Sequence, residues 1–486
     1  MVNYISVIQV RFTMSIKSVA QRYIGDRKFY RAVLAVALPM IIQNGITNLV
    51  NLLDNVMVGR LSTEAMSGVS IVNQFIFIFN LLIFGAVSAA GIFTAQFHGS
   101  RDVKGEMYTL RFKLMLNLVA SLACVAIFAT FDDSLITWFL QMEENASQLD
   151  PALALLHGKQ YLRIMLIGLV PSAISQAYAS TMRETEQTVV PMLASTAAVA
   201  TNFVLNAILI FGLLGAPALG VEGAAIATII SRFVELAVLL IWGYSHKHRC
   251  PYLVGALRSP YLPRELFGQI LSKGLPLMVN ELLWAVAMTA RNQSYSTRGL
   301  EVVAAQNISV TIINLFSVVY LSLGSAIAIV VGNQLGAGEI ERARDSQRKM
   351  VAFSVSCAAG IGLILIVAVA PLFPLLYNAP DAVRSLASFM IVVTGCAMPF
   401  FAYAHAAYFT LRSGGRVAIT FLFDSVYMWA IVIPTVFILS RYTNISIYWL
   451  FIAGNAAEIL KCVFGFIFLR KINWARRLVS GGASEQ

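Results

Sequence analysis

Twelve apolar runs divide the chain, at about 32–58, 69–97, 112–130, 160–182, 188–212, 220–244, 269–296, 303–335, 350–377, 385–411, 416–440 and 446–469. Each is long enough to cross a bilayer, whose ~30 Å hydrocarbon core needs about 20 predominantly apolar residues per helix. Runs of this length are helices, because membrane barrel strands take only about 10 residues and alternate polar with apolar. The pattern predicts an all-α integral membrane protein of twelve transmembrane helices, numbered here as spans 1 to 12.

Span 1 departs from the pattern. Its stretch QNGITNLVNLLDN, 43–55, carries Gln43, Asn44, Asn48, Asn51, Asp54 and Asn55 inside an apolar run. At 100° per residue, Gln43, Asp54, Thr47, Asn51, Asn44, Asn55 and Asn48 fall at about 0, 20, 40, 80, 100, 120 and 140°, and the apolar side chains take the rest of the circle. Unpaired amides in hydrocarbon cost several kcal/mol each, so this face must meet protein or water. A single intramembrane asparagine is more often interhelical glue. Seven polar groups on one face favour a water-accessible cavity, and Asp54, an intramembrane carboxylate, is the sharpest functional candidate. In low dielectric it takes up a proton readily, whereas oxygen-rich neighbours would favour a monovalent cation such as Na⁺. Either event cancels its charge. In span 5, Asn202 and Asn206 stand four apart on one helix face and are candidate partners for that ion or carboxylate.

The pattern also repeats. A constant offset of 237 residues places Leu38-Pro39 on Leu275-Pro276, Glu64 on Glu301, Ser88-Ala89 on Ser325-Ala326, Gly99 on Gly336 and Arg111 on Arg348, and TMR at 181–183 matches TLR at 410–412. Two six-helix bundles of like orientation are expected, related by an axis along the membrane normal. The implied organisation is a segment 1–31, a first lobe 32–245, a linker 246–268, a second lobe 269–470 and a tail 471–486. The repeat maps Asp54 onto Arg291, so the halves are chemically unequal. Span 7 brings its own carboxylate, Glu281, while His405, Tyr403 and Asp424 are weaker candidates in spans 10 and 11. Arg232 with Glu235, and Glu458 with Lys461, are i, i+3 neighbours at matching places and read as local structural ion pairs.

Composition agrees with a bilayer as solvent: the 486 residues have a mean hydropathy of +0.75 and only 12% are charged, against roughly 25% in soluble chains. The net charge of +11 invites a nucleic-acid reading, but the basic residues are scattered through short loops without an aromatic-interleaved cluster. With both termini inside, 26 of the 35 Lys and Arg fall in tails or cytoplasmic loops, 7 at outer loops or helix ends and 2, Arg232 and Lys461, within spans. This follows the positive-inside rule and places both termini in the cytoplasm. The acidic stretch 132–151 suits an outer loop. The first 28 residues are too charged and broken for a cleaved signal, and Met14 is an alternative start. Five cysteines lie apart, with no metal spacing and no disulfide framework. Neither H-E-x-x-H nor a G-x-S-x-G elbow occurs, so an intramembrane enzyme lacks support; no cofactor is expected.

The residues LPMIIQNGITNLVNLLDNVMVGRLS, the QFHGSRD and NQLGAGEIERAR segments after spans 2 and 8, and NFVLNAILIFG in span 5 resemble the multidrug and toxic compound extrusion (MATE) family, in its bacterial branch, over about residues 30 to 470. The resemblance implies two pseudo-symmetric six-helix bundles in a V around a central cavity. It implies antiport, by alternating access, of amphipathic cationic compounds against H⁺ or Na⁺ across the inner membrane. Asp54 matches the span 1 aspartate of the first-lobe ion site, Asn202 and Asn206 its span 5 partners, and Glu281 the span 7 glutamate of the second lobe. Archaeal relatives carry a second aspartate where Asn206 stands, and the span 10 aspartate of some bacterial members falls on Phe401, one turn from His405. The first lobe is therefore where coupling is expected. Gln43, Asn44, Thr47, Asn51, Arg291 and His405 are secondary polar candidates. Phe75, Phe79, Met165, Trp284 and Met288 would suit a path for flat cations. A monomer with a small-molecule substrate, the coupling ion and lipid as partners is expected. The competing readings are a flippase for a lipid-linked saccharide, which would need more intramembrane cations than Arg291, and a passive channel.

Overall fold

A computed structural model describes residues 22–59, 61–142 and 150–479, with the side chains of 51–56, 59, 63 and 139–142 outside the described set. The expected twelve spans are present. In order they are Arg27–Val50, continued helically to Gly59, then Glu64–Gly99, Val103–Thr130, Pro151–Glu184, Val189–Phe211, Gly220–Ser245, Arg264–Ser296, Leu300–Gly336, Ile340–Leu376, Asp381–Ser413, Val417–Tyr442 and Ile447–Lys471. Several run a turn or more past the apolar run, because hydrogen bonding continues where the side chains turn polar; span 4 begins at Pro151 and span 9 at Ile340. The acidic stretch that follows span 3 begins with a short helix, Asp132–Met142, whose first turn carries Asp132 and Asp133, favourable charges for a helix N-terminus.

The chain forms two compact units, one of Ile42–Leu283 and one of Met1–Ile41 with Trp284–Gln486. Spans 1 and 7 are each divided between them. In the unit Ile42–Leu283, Val69, Phe75, Phe79, Met165, Leu169 and Ala225 form the main core. A second core, including Leu110, Tyr178, Met182, Leu239, Tyr252 and Leu253, lies where the linker after span 6 packs back on spans 3, 4 and 6. The clamp on the linker is Arg111, whose guanidinium donates to the carbonyls of Ala256 (2.8 Å), Gly255 (2.9 Å) and Tyr261 (3.0 Å). Beside it Tyr252 donates to the Cys250 sulfur at 3.5 Å, and both groups are buried. Burial pushes the Cys250 thiol and the Tyr252 hydroxyl up from their ordinary ranges.

In the other unit the leading part of span 1, through Val33, Val36, Ala37 and Met40, packs with Leu323, Ile327, Leu335, Met350, Leu411 and Trp474. Trp474 belongs to the segment after span 12, so both units carry the segment that follows their sixth span against the bundle. A Cβ at Gly414 would meet the Trp474 carbonyl oxygen at 1.7 Å; only glycine admits that approach. Span 12 is two helices, Ile447–Ile459 and Lys461–Lys471, meeting at Leu460.

Candidate functional site

Span 1 is helical throughout 43–55. Gln43 and Thr47 are half-buried and Asn44 is exposed, and the Thr47 hydroxyl donates to the Gln43 carbonyl one turn back, at 2.9 Å. Asn51, Asp54 and Asn55 have side chains outside the described residues.

Span 5 supplies the best-defined polar feature of the same unit. Asn202 and Asn206 are 5% and 1% exposed. The Asn206 amide donates to Asn202 Oδ1 at 3.2 Å, and the Asn202 amide donates to Thr228 Oγ1 at 3.2 Å. The i, i+4 spacing thus aligns the two asparagines as expected, and span 6 adds Thr228, which the sequence reading missed. A signal existed: Thr228 stands four residues before Arg232 and so shares its helix face. Thr228 and Arg232 line a small recess with Asn80, Ser172, Phe79 and Met165. Arg232 pairs with Glu235 at 3.3 Å, the expected local pair. Phe75, Phe79 and Met165 are core residues, with Phe75 stacked on Phe128 at 5.6 Å; of these three expected path residues, Phe79 and Met165 reach the recess. Trp284 and Met288 are half-buried. Glu281 is half-buried in the leading part of span 7, which belongs to this unit.

Lys113 is not one of the two cations that the charge count places within spans, yet its side chain is fully buried. Its ammonium donates to the carboxylate of Glu184, to Ser180 Oγ (3.2 Å) and to Thr181 Oγ1 (3.1 Å), while Ser180 donates to Glu184 Oε1 at 2.5 Å. Span 2 makes room with Gly91, where a Cβ would meet Glu184 Oε1 at 2.2 Å.

In the unit containing Trp284–Gln486, the expected Glu458–Lys461 pair is replaced by two pairs between spans. Arg291 Nη1 of span 7 donates to Glu458 Oε2 at 2.6 Å, and Lys461 binds Asp424 of span 11. Each charge finds its counter-charge on a neighbouring span, a partner that spacing along one helix cannot report. His405 meets the Tyr320 ring edge-on at 5.2 Å between centroids and lies within electrostatic range of Lys461, Asp424 and Glu458. Three of the sequence candidates, Arg291, His405 and Asp424, therefore belong to one network. Tyr403 lies apart from it, packed at the edge of the core that holds Leu411 and Trp474. Among the described residues no group of three or more His, Cys, Asp or Glu is arranged to hold a metal ion.

The family model for MatE matches residues 39–208 and 276–438, one segment in each half of the repeat. The chain belongs to the MATE family. It is a multi-pass membrane transporter of twelve spans. The chain is 22% identical over 451 residues to the probable multidrug resistance protein NorM of Thermotoga maritima, covering 92% of this chain and 94% of that protein. It is 26% identical over 444 residues to the probable multidrug resistance protein NorM of Bacillus licheniformis, covering 89% and 94%. Its fold matches a multidrug resistance MATE family transporter of the MOP superfamily, with a TM-score of 0.80 at 21% identity over 93% of this chain and 97% of that one. A MATE crystal structure in complex with MaL6 matches with a TM-score of 0.81.

Proposed function

We propose that this MATE transporter is a cation-coupled antiporter that exports amphipathic, cationic drugs or metabolites, exchanging them for H⁺ or Na⁺ taken up at Asp54. The observation that carries the reading is the buried polar thread Asn206, Asn202 and Thr228, in the unit that also holds the trailing part of span 1. Amide and hydroxyl oxygens there can complete a shell around a hard cation, or the amide N–H groups can hold a carboxylate. Glu281, in the same unit, is the second carboxylate available to the exchange. Export of drugs is also what the relatives' names, probable multidrug resistance proteins, lead one to expect.

In the proposed cycle, the ion binds near Asp54 from outside, cancels its charge, repacks the polar face of span 1 and releases substrate. Loss of the ion to the cytoplasm restores the charge and with it affinity for a cation. One H⁺ for one monovalent drug is electroneutral, and each additional charge moved contributes ~2.3 kcal/mol per 100 mV. The positive-inside count supports both termini in the cytoplasm; the chain works as a monomer. Arg291 is engaged by Glu458, which argues against its serving as the pyrophosphate-binding cation of a lipid-linked saccharide flippase.

The test is ethidium efflux under separately imposed pH and Na⁺ gradients, comparing wild type with Asp54→Asn. Gradient-driven export should be lost in the variant. Export by the variant at the wild-type rate would remove Asp54 from the role, and gradient-independent equilibration by the wild type would establish a channel.

A further inference from the structure

The repeat does more than replace one charge. The offset that puts Arg291 on Asp54 has a counterpart in spans 6 and 12, where a shift of 226 residues puts Glu458 on Arg232 and Lys461 on Glu235. At all three positions the sign is inverted. The same shift puts Gly454 on Thr228, and there a Cβ would meet the Tyr295 hydroxyl oxygen at 2.0 Å. A hydroxyl thus approaches the second half at the place where Thr228 meets Asn202 in the first.

We propose that Arg291 is a tethered cation: in the half Trp284–Gln486 its guanidinium holds permanently, against Glu458, the place that the exchanged ion takes transiently in the other half. The geometry supports this on three counts. Arg291 Nη1 lies 2.6 Å from Glu458 Oε2, with the two side chains only 22% and 18% exposed, so the carboxylate has a close counter-charge. The neighbouring pair, Lys461 with Asp424, balances itself, so two cations and two carboxylates sum to zero with no ion to spare. A guanidinium stays protonated at any physiological pH and, being covalently attached, cannot leave. This half is therefore a fixed arm that imports no ion, and all coupling runs through the other. The inference rests on the antiport reading for its meaning in transport, but its structural content stands apart.

The test uses full-length protein in detergent, in an Asp54→Asn background that silences the first half. Adding Arg291→Ala should lower the melting temperature and create a saturable recovery with Na⁺, with millimolar guanidinium or with falling pH. That recovery should vanish when Glu458→Gln is added, and Asp54→Asn alone should not respond. Absence of recovery with all three cations, or a response of Asp54→Asn alone that Glu458→Gln abolishes, overturns the tether. Should the Arg291→Ala protein fail to fold, ion-driven exchange in proteoliposomes decides. Asp54→Asn should lose it entirely, whereas residual exchange removed by Glu458→Gln overturns the proposal. A wild type that shows no ion-driven exchange sinks the antiport reading and leaves the melting experiment to judge Arg291.

Discussion

Lys113→Met isolates the energetics of the buried pair between spans 3 and 4. The repeat supplies a natural reference: Lys113 falls on Met350, Glu184 on Ser413 and Gly91 on Ala328, so the second half has neither charge and no need of the glycine. Met350 and Ser413 are as buried as the residues they replace. Removing Lys113 alone leaves the Glu184 carboxylate with Ser180 as its neutral donor, and breaking one side of a buried ion pair costs ~3–5 kcal/mol. For a unit the size of Ile42–Leu283, about 2–4 °C per kcal/mol converts this to a fall of ~6–20 °C in melting temperature. Lys113→Met with Glu184→Ser removes both charges and should recover most of that loss, within ~1 kcal/mol of wild type, because paired burial is near neutral against an apolar replacement. Gly91→Ala should be destabilising while Glu184 is present, since the new methyl would meet its carboxylate at 2.2 Å. In the double variant it should be tolerated, with a helix-propensity gain of ~1 kcal/mol. The assay is tryptophan-fluorescence melting in detergent. A double variant as unstable as Lys113→Met would refute the pairing argument.

Other consequences follow from the same contacts. Arg111→Gln should free the linker and speed tryptic cleavage at Arg258, and Arg111→Lys should not rescue it, because one ammonium cannot serve three carbonyls arranged for a guanidinium fork. Gly414→Ala should expel the segment carrying Trp474, read as faster proteolysis after residue 471 and a lowered melting temperature. The Cys250 thiol, held up by burial, should alkylate more slowly at pH 8 in the folded protein than in SDS. Because the folded chain keeps this proton more tightly, its stability contribution is full below the ordinary thiol range and falls as pH rises through it. Asn202→Ala breaks the polar thread at both of its hydrogen bonds and should weaken gradient-driven efflux while leaving expression intact.

The number and nature of the spans were legible because apolar length is set by the bilayer and needs no tertiary knowledge. The alignment of Asn202 with Asn206 was legible for the same reason, a helix period. What one helix cannot report is a partner on another. Glu458 and Lys461 read as a local pair from their spacing, whereas each has its partner on another span, Arg291 and Asp424. Lys113 does not stand out in the sequence because a count of basic residues carries no depth, and only Glu184, some seventy positions on, explains its burial. Thr228 was passed over because a lone threonine in an apolar span is ordinary until its neighbour across the interface is known. Asp54 remains a sequence argument, since its side chain lies outside the described residues.

The division of spans 1 and 7 bears on how this chain is made. Val33, Val36 and Met40 find their packing partners at Leu323 and beyond, so about 290 residues must be synthesised first, a delay of ~15–60 s at 5–20 residues per second. Throughout that interval the beginning of the first helix sits in lipid or against the insertion machinery without its final neighbours. Biogenesis, rather than the finished fold, is where substitutions on that short segment should first be felt.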